Sequence, residues 1–272
     1  MKPAPFDYYR PDTVADALRT LDELGEGGKV LAGGQSLIAM LNLRIVKPAA
    51  LVDISQIQEM QSIRDAGDHI EVGAAVTQDA LLSFVKERDD FPLLRQAMPW
   101  TGHYQTRQKG TVCGSLVHSD PSSELPLCLK MLQGEIVIQS KRKKRIVSAD
   151  AFQLGLLETD VRPGELVTAV RFPKSKPDAR FGFHEVSQRH GDFAMVAIAV
   201  EARDGAARIG VAGVADVPTV KEIRVNGGGG LADALNEFAW ALGGADDVHA
   251  TGRYRRHLVR TLGQSMIEDA TA

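Results

Sequence analysis

The chain has 272 residues, 44% of them hydrophobic, enough to bury a core in one large domain of two parts or in two unequal domains. A net charge of −3 offers no basic field to a polyanion, which argues against a nucleic-acid partner. Two cysteines, Cys113 and Cys128, are too few for a disulfide framework or an iron–sulfur cluster, so any such centre belongs on another chain.

The stretch from Met1 to Asp7 has no apolar run of signal-peptide type, and no later segment stays apolar long enough to span a bilayer, so the expectation is a cytoplasmic protein. Thr13 and Asp16 have capping-box spacing, Val14, Leu18 and Leu21 recur at helical intervals, and Gly25 suits a C-cap. These predict a first helix. Lys29 to Ala32 reads as a short strand, Gly33-Gly34-Gln35-Ser36 as a turn and Leu37 to Leu43 as a helix. Strands follow at Ala50 to Ile54 and His69 to Val76, then a helix after the N-cap Thr77 and another over Pro92 to Met98. Gly110 to Ser115 reads as a glycine-containing loop, Ser122 to Met131 as a helix and Glu135 to Gln139 as a strand. The basic run Lys141 to Arg145 reads as a solvated hairpin tip without function.

Pro173 to Asp178 has linker composition and marks a domain boundary. Beyond it Arg180 to Val186 and Ala207 to Val214 are strand-like, while the alanines of Ala194 to Ala202 suit a strand or a helix equally. Leu231 to Leu242 and Asp247 to Asp269 are helical, the latter with Leu258, Leu262 and Met266 on one face. Between strands and tail, Asn226 to Gly230 reads as a flexible loop.

Two segments are suited to holding a phosphate. A strand turning through Gly33-Gly34 into a helix leaves unpaired N–H groups at the positive end of the helix dipole, and Gln35 and Ser36 add donors. Thr111-Val112-Cys113-Gly114-Ser115 also gathers hydroxyls and a glycine. Either alone fits an ordinary turn; together they suit the two sides of one pyrophosphate. Replacing Gly33 or Gly34 by valine is expected to empty such a site with the fold intact, the turn being local. Neither cysteine forms a metal pattern with His103 or His118, and Cys113 reads as a buried filler more readily than as a reactive thiol.

The sequence resembles the FAD-binding medium subunits of the molybdenum hydroxylases, the carbon monoxide dehydrogenase and xanthine dehydrogenase type, along nearly its whole length. The resemblance rests on Phe6-Asp7-Tyr8, Ala32 to Leu37, Leu51 to Ile54, Gly110 to Pro126, Arg189 to Ala194, Gly213 to Pro218 and Tyr254 to Leu258. It implies an α+β protein: an FAD-binding fold of the vanillyl-alcohol-oxidase and p-cresol-methylhydroxylase type over 1–175, in α/β subdomains of about 1–57 and 58–175, plus a C-terminal α+β domain over 179–272. It implies non-covalent FAD held by Val30, Leu31, Ala32, Gly33, Gly34, Gln35, Ser36 and Leu37 and by Thr111, Val112, Cys113, Gly114 and Ser115, with Glu124 at the ribityl or ring region and Phe193 near the isoalloxazine. The implied partners are a small subunit with two [2Fe–2S] clusters and a large molybdopterin subunit, as a dimer of heterotrimers.

The commonest second motif in that family has two adjacent glycines; here Cys113 takes the first place, where a positive φ would be strained. The benzoyl-CoA reductase branch, which adds a [4Fe–4S] cluster to this subunit, is disfavoured by the cysteine count. A nucleotide-binding regulatory module without redox work and a self-sufficient flavin oxidase are the alternative functions. The absence of an evident acid/base pair speaks against the oxidase.

Overall fold

The computed structural model describes residues 2–224 and 230–272. The first part contains β1 (Asp7–Tyr9), α1 (Val14–Leu24), β2 (Gly28–Leu31), α2 (Leu37–Asn42) and β3 (Ala50–Asp53). Its sheet is parallel, with β3 between β1 and β2. Local chemistry sets α1 as read: Thr13 accepts a hydrogen bond from the Asp16 N–H at 3.1 Å, Gly25 closes the helix at φ 52°, and Ala17, Leu18 and Leu21 face the core.

The second part runs through β4 (Ile63–Asp65), β5 (His69–Gly73), α3 (Gln78–Lys86), α4 (Pro92–Ala97), α5 (Tyr104–Arg107), α6 (Val112–His118) and α7 (Glu124–Met131). It continues with β6 (Glu135–Ser140), β7 (Lys144–Ser148), α8 (Ala149–Phe152), β8 (Gln153–Gly155), β9 (Glu158–Thr159) and β10 (Glu165–Pro173). Five of these strands form an antiparallel sheet in the order β4-β5-β10-β6-β7. Its centre, β10, sits in no segment read as a strand: it is buried on both faces for most of its length and lacks the alternation that marks a half-exposed strand. Residues 141–143 of the Lys141-to-Arg145 run form the tip of the β6–β7 hairpin, as read, but Lys144 and Arg145 belong to β7 and the Arg145 side chain is largely buried. It forms a bidentate ion pair with Glu165 at 2.6 and 2.9 Å and a second ion pair with Asp160 at 2.5 Å, so the run is not wholly solvated.

The third part is an antiparallel meander, β11 (Arg180–Val186), β12 (Val196–Arg203), β13 (Ala206–Ala212) and β14 (Thr219–Arg224), covered by α9 (Leu231–Ala241) and α10 (Gly252–Thr271). Residues 226–229 of the glycine run lie outside those described. The alanine-rich segment is a strand, and its alanines have a packing reason. On β12, Val196, Ile198 and Val200 join a core under α9 and α10, while Ala197 and Ala199 point the other way into the larger core that contains α7. Small side chains let α7 lie close on that face: a Cβ at Gly210 would stand 2.6 Å from Met131 Sδ and 2.8 Å from Leu127 Cδ1. Gly210→Val is therefore expected to lower stability by about 1–3 kcal/mol through overpacking, read as a lower denaturation midpoint. An unchanged midpoint would contradict this account of the seam.

Candidate functional site

The first glycine segment turns from β2 into α2. Ser36 is the N-cap residue of α2 and makes no side-chain capping bond, while the Ile38 N–H donates back to the Gly34 carbonyl at 3.0 Å. Gly34 has φ +71°, open to glycine and costly for most side chains. The Gln35 amide folds back to donate to the Gly33 carbonyl at 3.1 Å.

The second segment is not a loop beyond Thr111, which corrects the sequence reading. Thr111 is the N-cap of α6, accepting from the Gly114 N–H at 3.0 Å, and Val112 to Ser115 already belong to the helix. Gly114 is small because of this cap: a Cβ there would lie 2.6 Å from Thr111 Oγ1. Cys113 has no positive φ and carries no such strain. Its thiol is buried, donates to the Val72 carbonyl at 3.7 Å, and is pushed up in pKa by desolvation, as suits a structural filler.

Backbone contact joins the two segments. A Cβ at Gly33 would stand 2.1 Å from the Lys109 carbonyl oxygen and 2.8 Å from Gly110 Cα. Gly110 is itself anchored, its carbonyl accepting from the Gln78 N–H at 2.8 Å, and the Val112 N–H is committed to the Val76 carbonyl at 3.0 Å. The Gly33 turn is thus not local, as the sequence alone suggests, but one half of a junction.

Around this junction runs a cleft of about 470 Å³. Val30, Ala32, Gly33, Gly34, Gln35, Ser36 and Leu37 line one wall, and Thr111, Cys113, Gly114, Ser115 and Glu124 another. Leu31 and Val112 do not line it; the Val112 side chain faces the core. The third wall is the Gly191–Phe193 loop of the C-terminal part, seated on Gly102 and His103: a Cβ at Gly191 would fall 2.5 Å from His103 Nδ1, and Asp192 lies 3.5 Å from His103 Nε2. Phe193 stands at the rim, 59% exposed.

Sequence reasoning missed Gln78, Thr101, Leu157 and Glu165 among the lining residues. Leu157 holds a left-handed φ of 57° in the β8–β9 turn over the cleft, and no short motif marks any of the four. Gln78 Oε1 and Thr101 Oγ1 are buried there without a hydrogen-bond partner among the described residues. Among the described residues Lys29 is the one lysine or arginine on the lining, so backbone N–H groups must do most of the work of holding an anion. A cleft with two helix starts, glycine-narrowed walls and orphaned polar atoms fits an extended, phosphate-bearing cofactor of the FAD kind.

Comparison with known proteins agrees with this geometry. Residues 4–175 match the family described as the FAD binding domain in molybdopterin dehydrogenase. The chain is 31% identical to 6-hydroxypseudooxynicotine dehydrogenase complex subunit alpha of Paenarthrobacter nicotinovorans, over 99% of this chain and 96% of that one. It is 33% identical to the carbon monoxide dehydrogenase medium chain of Afipia carboxidovorans, over 80% and 77% respectively. Among solved structures, reconstituted CO dehydrogenase from Oligotropha carboxidovorans superposes with a TM-score of 0.89 at 31% identity, covering 99% of both chains.

Proposed function

The chain belongs to the family of FAD-binding domains of the molybdopterin dehydrogenases, and from that premise we infer that it is the flavin-carrying medium subunit of a molybdenum hydroxylase. The observation that carries the reading is the junction of Gly33 with Lys109 and Gly110, which brings both glycine segments to one cleft in a chain of this family. Residues 1–175 form the FAD-binding domain and 179–272 the C-terminal domain, whose Gly191–Phe193 loop completes the cleft.

Ala32 to Leu37 and the start of α6, from Thr111 to Ser115, hold the pyrophosphate, with Val30 and Lys29 beside it; Glu124 and Phe193 lie toward the ring end. FAD, when bound, supplies two-electron and one-electron transfer in one group. The protein binds it, orients it between the domains and shields it with the loop over Gly102. The electrons come from a small subunit carrying [2Fe–2S] clusters, fed by substrate oxidation on a large molybdopterin subunit, and leave to an external acceptor; the assembly is a dimer of heterotrimers. Among the described residues no helix is long and apolar enough to cross a membrane; the protein works in the cytoplasm.

FAD is held without a covalent bond. Titration of the purified chain with FAD should saturate at one per chain, and acid precipitation should release the yellow colour into solution. Colour retained by the pellet would overturn the non-covalent claim.

A further inference from the structure

Glu124 and Glu185 meet across the seam between the two domains. Glu124 is in the first turn of α7 and opens on the cleft; Glu185 lies on β11 behind it and does not line the cleft. They are 5% and 3% exposed. Both Glu185 oxygens are buried with no donor among the described residues, and the neighbouring Ser187 hydroxyl donates to the Arg189 carbonyl instead. Among the described residues no lysine, arginine or histidine acts on either carboxyl: the groups facing Glu124 are Glu185, the Thr101 hydroxyl and Asp120, with Cys128 beneath, and those facing Glu185 are Glu124 and Ser187.

Two ionised carboxylates side by side in a dry seam, with no cation, cost far more than one proton held between them. That proton supplies a donor that the buried Glu185 oxygens otherwise lack. We propose that Glu124 and Glu185 share a single proton, and that Glu185 is thereby a positioning residue: it fixes one oxygen of Glu124 inward and leaves the other as an acceptor toward the cofactor in the cleft. Desolvation raises the pKa of both carboxyls; Glu124 pushes that of Glu185 up further and Asp120 that of Glu124, in keeping with a proton retained at neutral pH. The C-terminal domain thus reaches the flavin site through a residue that does not touch the flavin. The pair titrates as one unit, and losing its proton drives the carboxylates apart and loosens the cleft.

The inference rests on the FAD reading above, and its test separates the two. In the full chain at about pH 7, infrared spectra with isotope-labelled glutamate should show a protonated carboxyl that vanishes in both Glu124→Gln and Glu185→Gln. FAD affinity of the wild type, followed by flavin fluorescence, should fall about tenfold per pH unit once the shared proton is lost. Glu185→Gln, whose amide donates in the proton's place, should keep neutral-pH affinity and lose that dependence. Absence of the protonated carboxyl in the wild type, or an unchanged pH profile in Glu185→Gln, would overturn the proposal. The infrared measurement needs no variant to fold. If FAD binds at no pH, the flavin reading falls, while the band in the free chain still decides the shared proton.

Discussion

Gly33→Val is expected to weaken FAD binding by about 100-fold or more. The added side chain meets the Lys109 carbonyl and Gly110 Cα, backbone atoms that cannot swing aside, so the two anion-binding segments must separate. A phosphate spanning them then loses charge-assisted hydrogen bonds worth about 1.5–3 kcal/mol each, and two such losses suffice for the stated factor. Gly34 differs: its requirement is the left-handed φ of +71°, and a Cβ there would stand 3.0 Å from Cγ1 of the exposed Ile38, a side chain and not backbone. Gly34→Asn, which tolerates that conformation, should bind FAD better than Gly34→Val. FAD titration of the three variants checks both claims; wild-type affinity in Gly33→Val would remove the junction from the site.

The other large effect belongs to Arg145. Its guanidinium forms the bidentate pair with Glu165 and an ion pair with Asp160, and also donates to the Asp160 carbonyl. The Arg145 and Glu165 side chains are only 18% and 6% exposed. Removing one member of a buried pair leaves an uncompensated charge, so Arg145→Met should cost about 3–5 kcal/mol, and Arg145→Met with Glu165→Leu should recover most of it. Burial works to raise the pKa of Glu165, but the bonds from Arg145 and the Arg162 N–H outweigh it and the pKa is lowered. A lowered carboxylate pKa contributes stability that is present above the unfolded value and lost as pH falls through the folded one. The gap between wild type and Arg145→Met should therefore narrow in acid. Denaturant midpoints measured across pH give the answer; a double variant no more stable than the single one would sink the pair as the cause.

What can be read from the sequence is local. Thr13 and Gly25 bracket α1 and Thr77 caps α3, because capping chemistry acts within a few residues. The Gly33-Gly34 turn is legible for the same reason, and the family resemblance adds Glu124 and Phe193, both of which line the cleft. What stays hidden depends on distant partners. Thr111-to-Ser115 reads as a loop because hydroxyls and glycines mark turns, whereas Gly114 accommodates the cap of a helix. Arg145 in a basic run gives no sign of Glu165, 20 residues away. The alanines of β12 are ambiguous because their cause is α7, packed from another part of the chain. Glu185 sits in an ordinary strand pattern, and only the fold sets it against Glu124.

The central claim is a division of labour: this chain supplies the flavin, and its partners supply the iron and molybdenum. Metal and flavin analysis of the purified chain, together with substrate turnover before and after adding the two partner subunits, tests it most directly. The account predicts one dithionite-reducible FAD per chain, neither iron nor molybdenum, no hydroxylation by the chain alone, and activity only in the reassembled complex. Stoichiometric iron in the chain, or hydroxylation of substrate by the chain alone, would contradict it.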